Sequence, residues 1–395
     1  MKIVGIIAEY NPLHNGHIYQ LQESIKNLNP DLVIVIMSGC FTQQGNIAVL
    51  DKFTRSKLAT LYGADIVIEL PFIFATSSAE YFAKASINIL NSLSCDYISF
   101  GSEEEDISKL VNYANKILDN QTNIDKKIKD HLKQGYSYTK AYILALEECI
   151  SDINTNLFKS NNILALEYIK EIQRLNSKIE PFCIKRIYND YNENTLSKYA
   201  FSSATSIRSS LLEGNIEHIK NFIPKETYYK LLNENIYFND SIYELFRYKV
   251  ILNKDKLKNI HEITEGIENR IINNVILYTN YDDFIENTLT RRFTLPKIKR
   301  IMLKILFDID KNFLDNIDYK KDLYARILSI TANGKKYLGT LTRNSSIPII
   351  TKINDKVIDR LSFNQAKILN KDIESTNLFD IIRKKSLNSD YKNKL

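Results

Sequence analysis

The chain of 395 residues uses cysteine sparingly. Its four thiols, Cys40, Cys95, Cys149 and Cys183, lie far apart and form no CxxC pair or His/Cys cluster. That spacing excludes a disulfide framework and a thiolate metal site. It predicts reduced core or loop thiols in a cytosolic protein. Long apolar runs are missing too: none reaches the roughly 18 to 20 residues of a membrane span, so no membrane partner is expected. Met1-Lys2-Ile3 leads straight into an apolar run, which predicts no signal peptide and a cytoplasmic location. No repeat or long disordered segment is visible. The apolar fraction of 44% is that of a globular protein, with length enough for two or three domains.

Charge is unevenly spread. Residues 1–100 hold six Lys/Arg against eight Asp/Glu, which leaves 47 against 39 for the remainder. A basic later half points mildly to a polyanionic partner bound there.

The first hundred residues alternate apolar runs with helix-length segments. Ile3–Ala8, Asp31–Met37, Ala64–Leu70 and Asp96–Phe100 read as buried strands. Helices are expected over Asp51–Leu61 and Ala79–Leu93. This alternation predicts an α/β fold with a doubly wound parallel sheet, whose ligands sit beyond the carboxyl ends of the strands. His14, Ser38-Gly39 and Gly101 fall at such ends. Residues 107–176 read as helical, Pro181–Ile187 as a further strand, and Ser202–Arg208 as the start of another helix. The sheet is expected to close near 215, with a helical insertion over about 103–176. Residues 216–395 then form a mainly helical part ending in a basic, frayed tail.

The most informative segment is Glu9-Tyr10-Asn11-Pro12-Leu13-His14-Asn15-Gly16-His17. It places an HxGH pattern between the first strand and its helix. The short pattern alone fits a helix cap with two surface histidines equally well. The strand before it and the helix after favour an anion site, where unpaired helix N–H groups, the macrodipole and two imidazoles converge on phosphate. Gly16 would let phosphates approach the backbone. Asp51, Lys52 and Arg55 read as a capped, salt-bridged helix start or as substrate ligands. Tyr10 and Phe41 read as packing, or as a shield for a substrate.

A second constellation is Arg291–Lys304, which holds six basic residues and no acid. On a helix, Lys297, Arg300 and Lys304 form one stripe, with Ile298, Ile301 and Leu303 facing inward. With Arg291, Arg292 and Lys299 they are the candidate RNA-binding residues, or else a solvated basic face on a core helix.

The blocks AEYNPLHNGHIYQ, SGCFTQQG, DKFTRSKLA, GADIVIELPF, SAEYFA and FGSE closely resemble the tRNA(Met) cytidine acetate ligase family. The likeness continues through SNNILALEYIK, IKRI, SSATSIR, TRRFTLPKIKR, YARILS, GKKYLGTL and PIITK, in order along nearly the whole chain. It implies an HxGH nucleotidyltransferase domain, Rossmann-like, plus a helical C-terminal region. The implied reaction activates acetate with ATP to acetyl-adenylate, releases pyrophosphate, and acetylates N4 of the wobble cytidine of elongator tRNA(Met). Mg²⁺ is expected with the ATP phosphates, and no protein metal site is expected. The resemblance places ATP against Ile7, Ala8, Glu9, Tyr10, Asn11, Pro12, Leu13, His14, Asn15, Gly16, His17, Ile18, Tyr19 and Gln20. It adds Gly101, Asn162, Arg186 and Ile187. His14 and His17 are the implied catalytic pair. Asn162 reads equally as a helix cap. Thr205, Ser206 and Arg208 resemble a late phosphate-binding motif.

Two departures stand out: Gln44 where the family commonly has arginine, and Tyr188–Glu193 where it often has a glycine-containing turn with a histidine. Two other readings fit the same motifs: a small-molecule adenylyltransferase, and a non-catalytic tRNA-binding protein that keeps the fold.

Overall fold

The computed structural model describes residues 1–104, 106–151, 153–154, 160–185, 201–393 and 395; of Ser160 only the backbone is described. Its centre is a seven-stranded sheet. The strands are β1 (Ile3–Ala8), β2 (Leu32–Ser38), β3 (Ile66–Leu70), β4 (Tyr97–Ser102), β5 (Glu180–Lys185), β6 (Ala325–Ile330) and β7 (Ile349–Ile350). Their order across the sheet is β5-β4-β1-β2-β3-β6-β7. The first five are mutually parallel, as the alternating sequence predicts.

Register follows from burial on both faces. Ile34, Ile36, Ile66, Ile68 and Ile98 enter one core with Phe82, Leu90, Ala165 and Ile169. Val4, Ile6, Val33, Val35 and Val67 enter the opposite core with Leu21, Leu58 and Ile207. A slip of one residue would exchange the two sets, so packing holds the pairing Ile6↔Val35 and Ile6↔Ser99. Aspartates at the amino ends act as staples. The Asp96 carboxylate accepts the Ile3 N–H at 2.7 Å, and Asp65 accepts that of Val33 at 2.9 Å.

The chain leaves β1 towards β2 on one side and returns through β4 on the other. The crevice at the carboxyl ends of β1 and β4 is therefore the topological switch point. The first helix, α1 (Asn15–Leu28), starts beside it.

Two expectations need correction. The sheet does not close near 215. β6 pairs antiparallel with β3, and β7 extends the edge, because Tyr324–Ile330 is another apolar run whose alternate side chains fill both cores. The terminal segment is not frayed either. Asp390 is 2% exposed; its Oδ1 lies 2.9 Å from Lys52 Nζ and 2.5 Å from Arg326 Nη2. Helices Tyr243–Leu252, Ile267–Leu277, Tyr281–Thr288 and Leu295–Leu306 do form a core of their own, around Phe246, Ile271, Phe284, Ile301 and Met302. No described helix is long and apolar enough to cross a membrane.

Candidate active site

The loop after β1 is held from several sides. Tyr10 takes a positive φ of 47° and is buried beneath the loop, edge-on to His17 with ring centroids 4.9 Å apart. Asn11 Oδ1 accepts the Val49 N–H at 2.8 Å, while its Nδ2, also buried, has no hydrogen-bond partner among the described residues. Leu13 packs into the core on the α1 side of the sheet.

His14 then caps α1. Its Nδ1 accepts the Gly16 N–H at 3.1 Å, and His17 Nδ1 accepts the His14 N–H at 3.4 Å. The two rings stack with centroids 3.6 Å apart and planes 22° apart. A ring that accepts at Nδ1 carries its proton on Nε2 when neutral, so both imidazoles are N–H donors. The helix cap and the histidine pair are thus one arrangement.

The expected unpaired helix N–H groups are already taken. The Asn15 N–H binds Phe222 O at 3.0 Å, Gly16 binds His14, and His17 N–H binds His14 O at 2.9 Å. The segment around Phe222 reaches back to α1 and closes the first of these donors, and His14 closes the other two. Gly16 has a more local reason than phosphate approach. A Cβ there would lie 2.9 Å from His14 Cε1, inside van der Waals contact.

Across the crevice, Ser203 caps helix Ala204–Leu212 by accepting the Ser206 N–H at 3.1 Å. This places Arg208 over the first loop. Its Nη1 donates to Asn11 O at 2.8 Å and its Nη2 to Thr205 Oγ1 at 3.2 Å. Phe201 meets Tyr19 edge-on at 5.7 Å. The late motif is therefore joined to the HxGH loop, although the Ser206 N–H is committed to its own cap.

Glu9 begins the loop. Its Oε1 accepts the Gln43 N–H at 2.7 Å and so ties the loop after β2 to that after β1. Burial raises its carboxyl above the ordinary value, opposed by the Gln43 bond and the charges of Arg208 and Arg55. Arg55, on α2 (Lys52–Leu61), is fully buried. It donates to the carbonyls of Leu50, Glu9, Ser38 and Gly39, and so locks two strand ends together. Asp51 caps α2 through the Thr54 N–H at 2.8 Å, and Lys52 binds Glu69 at 2.7 Å. These three form the capped, salt-bridged start, with Lys52 and Arg55 buried and Asp51 half-buried. Tyr10 and Phe41, each 1% exposed, are packing residues.

Gly101 lies in β4, paired with Ile184, at the switch point. Asn162, 1% exposed, accepts from Ser102 Oγ at 2.5 Å and from the Glu103 N–H at 2.9 Å. It secures the end of β4. Gln20 donates to Ser99 O at 3.2 Å, which fastens α1 to the same strand. Arg186, Ile187 and Tyr188–Glu193 lie outside the described residues.

The basic helix is less open than its sequence suggests. Ile298, Ile301 and Leu303 are buried as expected, but so is Lys304. Its Nζ sits 2.9 Å from Ser77 Oγ and 2.9 Å from His261 Nδ1, and burial lowers its pKa to about 8. It cannot touch RNA. Arg300 pairs with Glu262 at 3.0 Å, Arg292 with Glu265 at 2.6 Å, and Lys299 donates to Asn46 at 2.9 Å. Lys297 lies over the Phe293 ring at 4.0 Å. Arg291 is exposed. Gly45 shows why this helix is close-packed: its φ is +74°, and a Cβ there would lie 2.7 Å from the Arg300 backbone nitrogen.

Residues 1–394 match the family model described as HIGH Nucleotidyl Transferase. The chain is 39% identical to a tRNA(Met) cytidine acetate ligase of Caldicellulosiruptor bescii, over 96% of this chain and 93% of that one. It is 38% identical to that of Clostridium perfringens, over 99% and 98%. A crystal structure of Thermotoga maritima TmcAL bound with alpha-thio ATP superposes with a TM-score of 0.88 at 32% identity. It covers 97% of this chain and 95% of that chain.

Proposed function

This chain belongs to the tRNA(Met) cytidine acetate ligases of the HIGH nucleotidyl transferase family, and from that premise we propose how its own residues carry the reaction. It is an ATP-dependent ligase. Acetate attacks the α-phosphorus of ATP, pyrophosphate leaves, and the acetyl group of the resulting adenylate passes to N4 of the wobble cytidine of elongator tRNA(Met).

The single observation that carries the site assignment is the stacked His14–His17 pair at the start of α1, with Arg208 bonded to the same loop. Negative charge builds on phosphate oxygens as pyrophosphate departs. Donors fixed in advance stabilise that charge without reorganising. His14 and His17 supply two Nε2–H donors, and Arg208 supplies a guanidinium held by Asn11 and Thr205. The backbone from Ile7 to Leu13, with Gly101 and the Asn162-secured end of β4, borders the space for adenosine. Thr205 and Ser206 lie at its rim. Arg186 and Ile187 keep their place in this proposal through resemblance alone.

Among the described residues no group of three His, Cys, Asp or Glu side chains could hold a metal ion. Mg²⁺ is taken to arrive with the triphosphate, bound chiefly through phosphate oxygens. Residues 1–215, completed by β6, β7 and the terminal segment, are assigned the catalytic work, and the helices between Tyr243 and Leu306 the tRNA. Arg291, Arg292, Lys297, Lys299 and Arg300 supply phosphate contacts that position the tRNA without reading its sequence.

Incubation with ATP, labelled acetate and tRNA tests the reading. The expected result is pyrophosphate release with label entering elongator tRNA(Met). Pyrophosphate exchange with phosphopantetheine or nicotinamide mononucleotide, but not with acetate, would show a small-molecule adenylyltransferase instead. RNA binding without ATP turnover would show a non-catalytic protein.

A further inference from the structure

We propose that the Glu9 carboxylate is the general base of the second half-reaction, taking the proton that cytidine N4 sheds as it is acetylated. The inference rests on the ligase reading above and adds a residue to its chemistry.

A carboxylate is a poor neighbour for a triphosphate, since like charges repel. Yet Glu9 stands one residue beyond β1, on the loop that carries His14, at the switch-point crevice. Phosphate binding does not account for its side chain. The second step does call for an acceptor. The lone pair of an exocyclic cytosine amine is delocalised into the ring, so the nitrogen becomes acidic only as its new bond forms. A positioned base is needed at that moment. The imidazoles of the loop do not provide one. Each accepts at Nδ1, so each carries its proton on Nε2 and acts as a donor.

The step balances. N4 attacks the carbonyl carbon of acetyl-adenylate and the C–N bond forms. The C–O bond to the phosphate breaks, and its electron pair leaves with AMP. One N4 proton passes to a Glu9 carboxylate oxygen and later to solvent.

The surroundings hold the carboxylate in place. Oε1 accepts the Gln43 N–H at 2.7 Å, and the backbone carbonyl of Glu9 accepts from buried Arg55. The ionisable groups facing it are Arg55 from α2, Arg208 from helix Ala204–Leu212, and Tyr168 from helix Ser160–Arg174. Burial raises the Glu9 carboxyl above its ordinary value, the direction that favours proton acceptance, and the Gln43 hydrogen bond and the two arginines oppose the rise.

The experiment separates the half-reactions. Pyrophosphate release from ATP and acetate without tRNA measures adenylation. A chase of enzyme-bound acetyl-adenylate with elongator tRNA(Met) measures transfer. Glu9→Gln keeps an oxygen for the Gln43 N–H, so the loop stays anchored. The expected result is a loss of transfer at least about tenfold greater than any loss of adenylation measured in the same variant. Wild-type transfer should rise with pH through one ionisation that Glu9→Gln lacks and Glu9→Asp retains. Normal transfer in Glu9→Gln would reduce Glu9 to a loop anchor and overturn the proposal. Equal losses of adenylation and transfer would assign Glu9 to the nucleotide alone and overturn it as well. A flat pH profile for wild-type transfer overturns it even if the variants do not fold. Failure of wild type to release pyrophosphate with acetate would instead refute the ligase reading.

Discussion

Lys304 Nζ lies 2.9 Å from His261 Nδ1 in a buried pocket, an ammonium donating to an imidazole that must stay neutral to accept. Burial first, and then the Lys304 charge, lower His261 to about 4, with Arg300 and Lys311 adding to the effect and Glu262 opposing it. The unfolded value is near 6.5. Between the two values the unfolded chain binds more protons, so stability falls as pH drops from about 6.5 towards 4. From pH 7 to pH 5 this one group costs about 2 kcal/mol. His261→Asn keeps an acceptor and removes the titration. Thermal melts should show a smaller loss of Tm over that pH range in the variant; equal losses would mean that His261 does not titrate differently on folding.

The same pocket separates two lysine and arginine roles that the sequence runs together. Lys304→Met should lower the melting temperature and leave the salt dependence of tRNA binding unchanged. Arg291→Ala, at an exposed position, should leave melting unchanged and reduce the slope of log Kd against log salt by about 0.7, the share of one single-strand phosphate contact. Anisotropy of labelled tRNA across a salt series measures both. An unchanged slope in Arg291→Ala would remove that residue from the interface.

What the sequence disclosed, and what it hid, divides along a physical line. Strands β1 to β4 were legible because continuous apolar runs ending in glycine, proline or HxGH leave few alternatives. The HxGH loop was legible because its chemistry is local. The partners that shape it are not local: Phe222 and Arg208 lie some 200 positions away, and no spacing connects them to Asn15 or Asn11. β6 was hidden for a related reason, since an apolar run within a helical half carries no sign that it pairs with β3. Lys304 was misplaced because a helical stripe of charge looks alike whether it faces water or, as here, Ser77 and His261.

Asp390 supplies a prediction that the frayed-tail expectation would not have made. Its carboxylate binds both Lys52 and Arg326, while Glu69 holds the other side of each. Asp390→Ala leaves two buried cations sharing one carboxylate. Losing one partner of a buried ionic network costs about 3–5 kcal/mol. Urea denaturation should show that loss as a lower midpoint at constant slope. A change below 1 kcal/mol, measured the same way, would mean that the terminal segment detaches freely in solution.

Gly16 offers the sharpest test of the histidine pair, because stability and activity should move apart. Alanine is favoured over glycine in a helix by about 1 kcal/mol, which offsets the roughly 1 kcal/mol lost if the His14 cap on the Gly16 N–H is disturbed, so Gly16→Ala should change stability little. The new Cβ would nevertheless stand 2.9 Å from His14 Cε1 and push that ring off its partner, His17. A small displacement of a preorganised donor is costly in rate even when binding survives. Adenylation should therefore fall at least about tenfold in Gly16→Ala, with the melting temperature close to that of wild type. His17→Ala should fall on the order of a hundredfold, the usual loss when a fixed donor is deleted. If Gly16→Ala released pyrophosphate at the wild-type rate, the stacked geometry of the two rings would be a feature of the cap alone, and phosphate would have to be held by Arg208 without them.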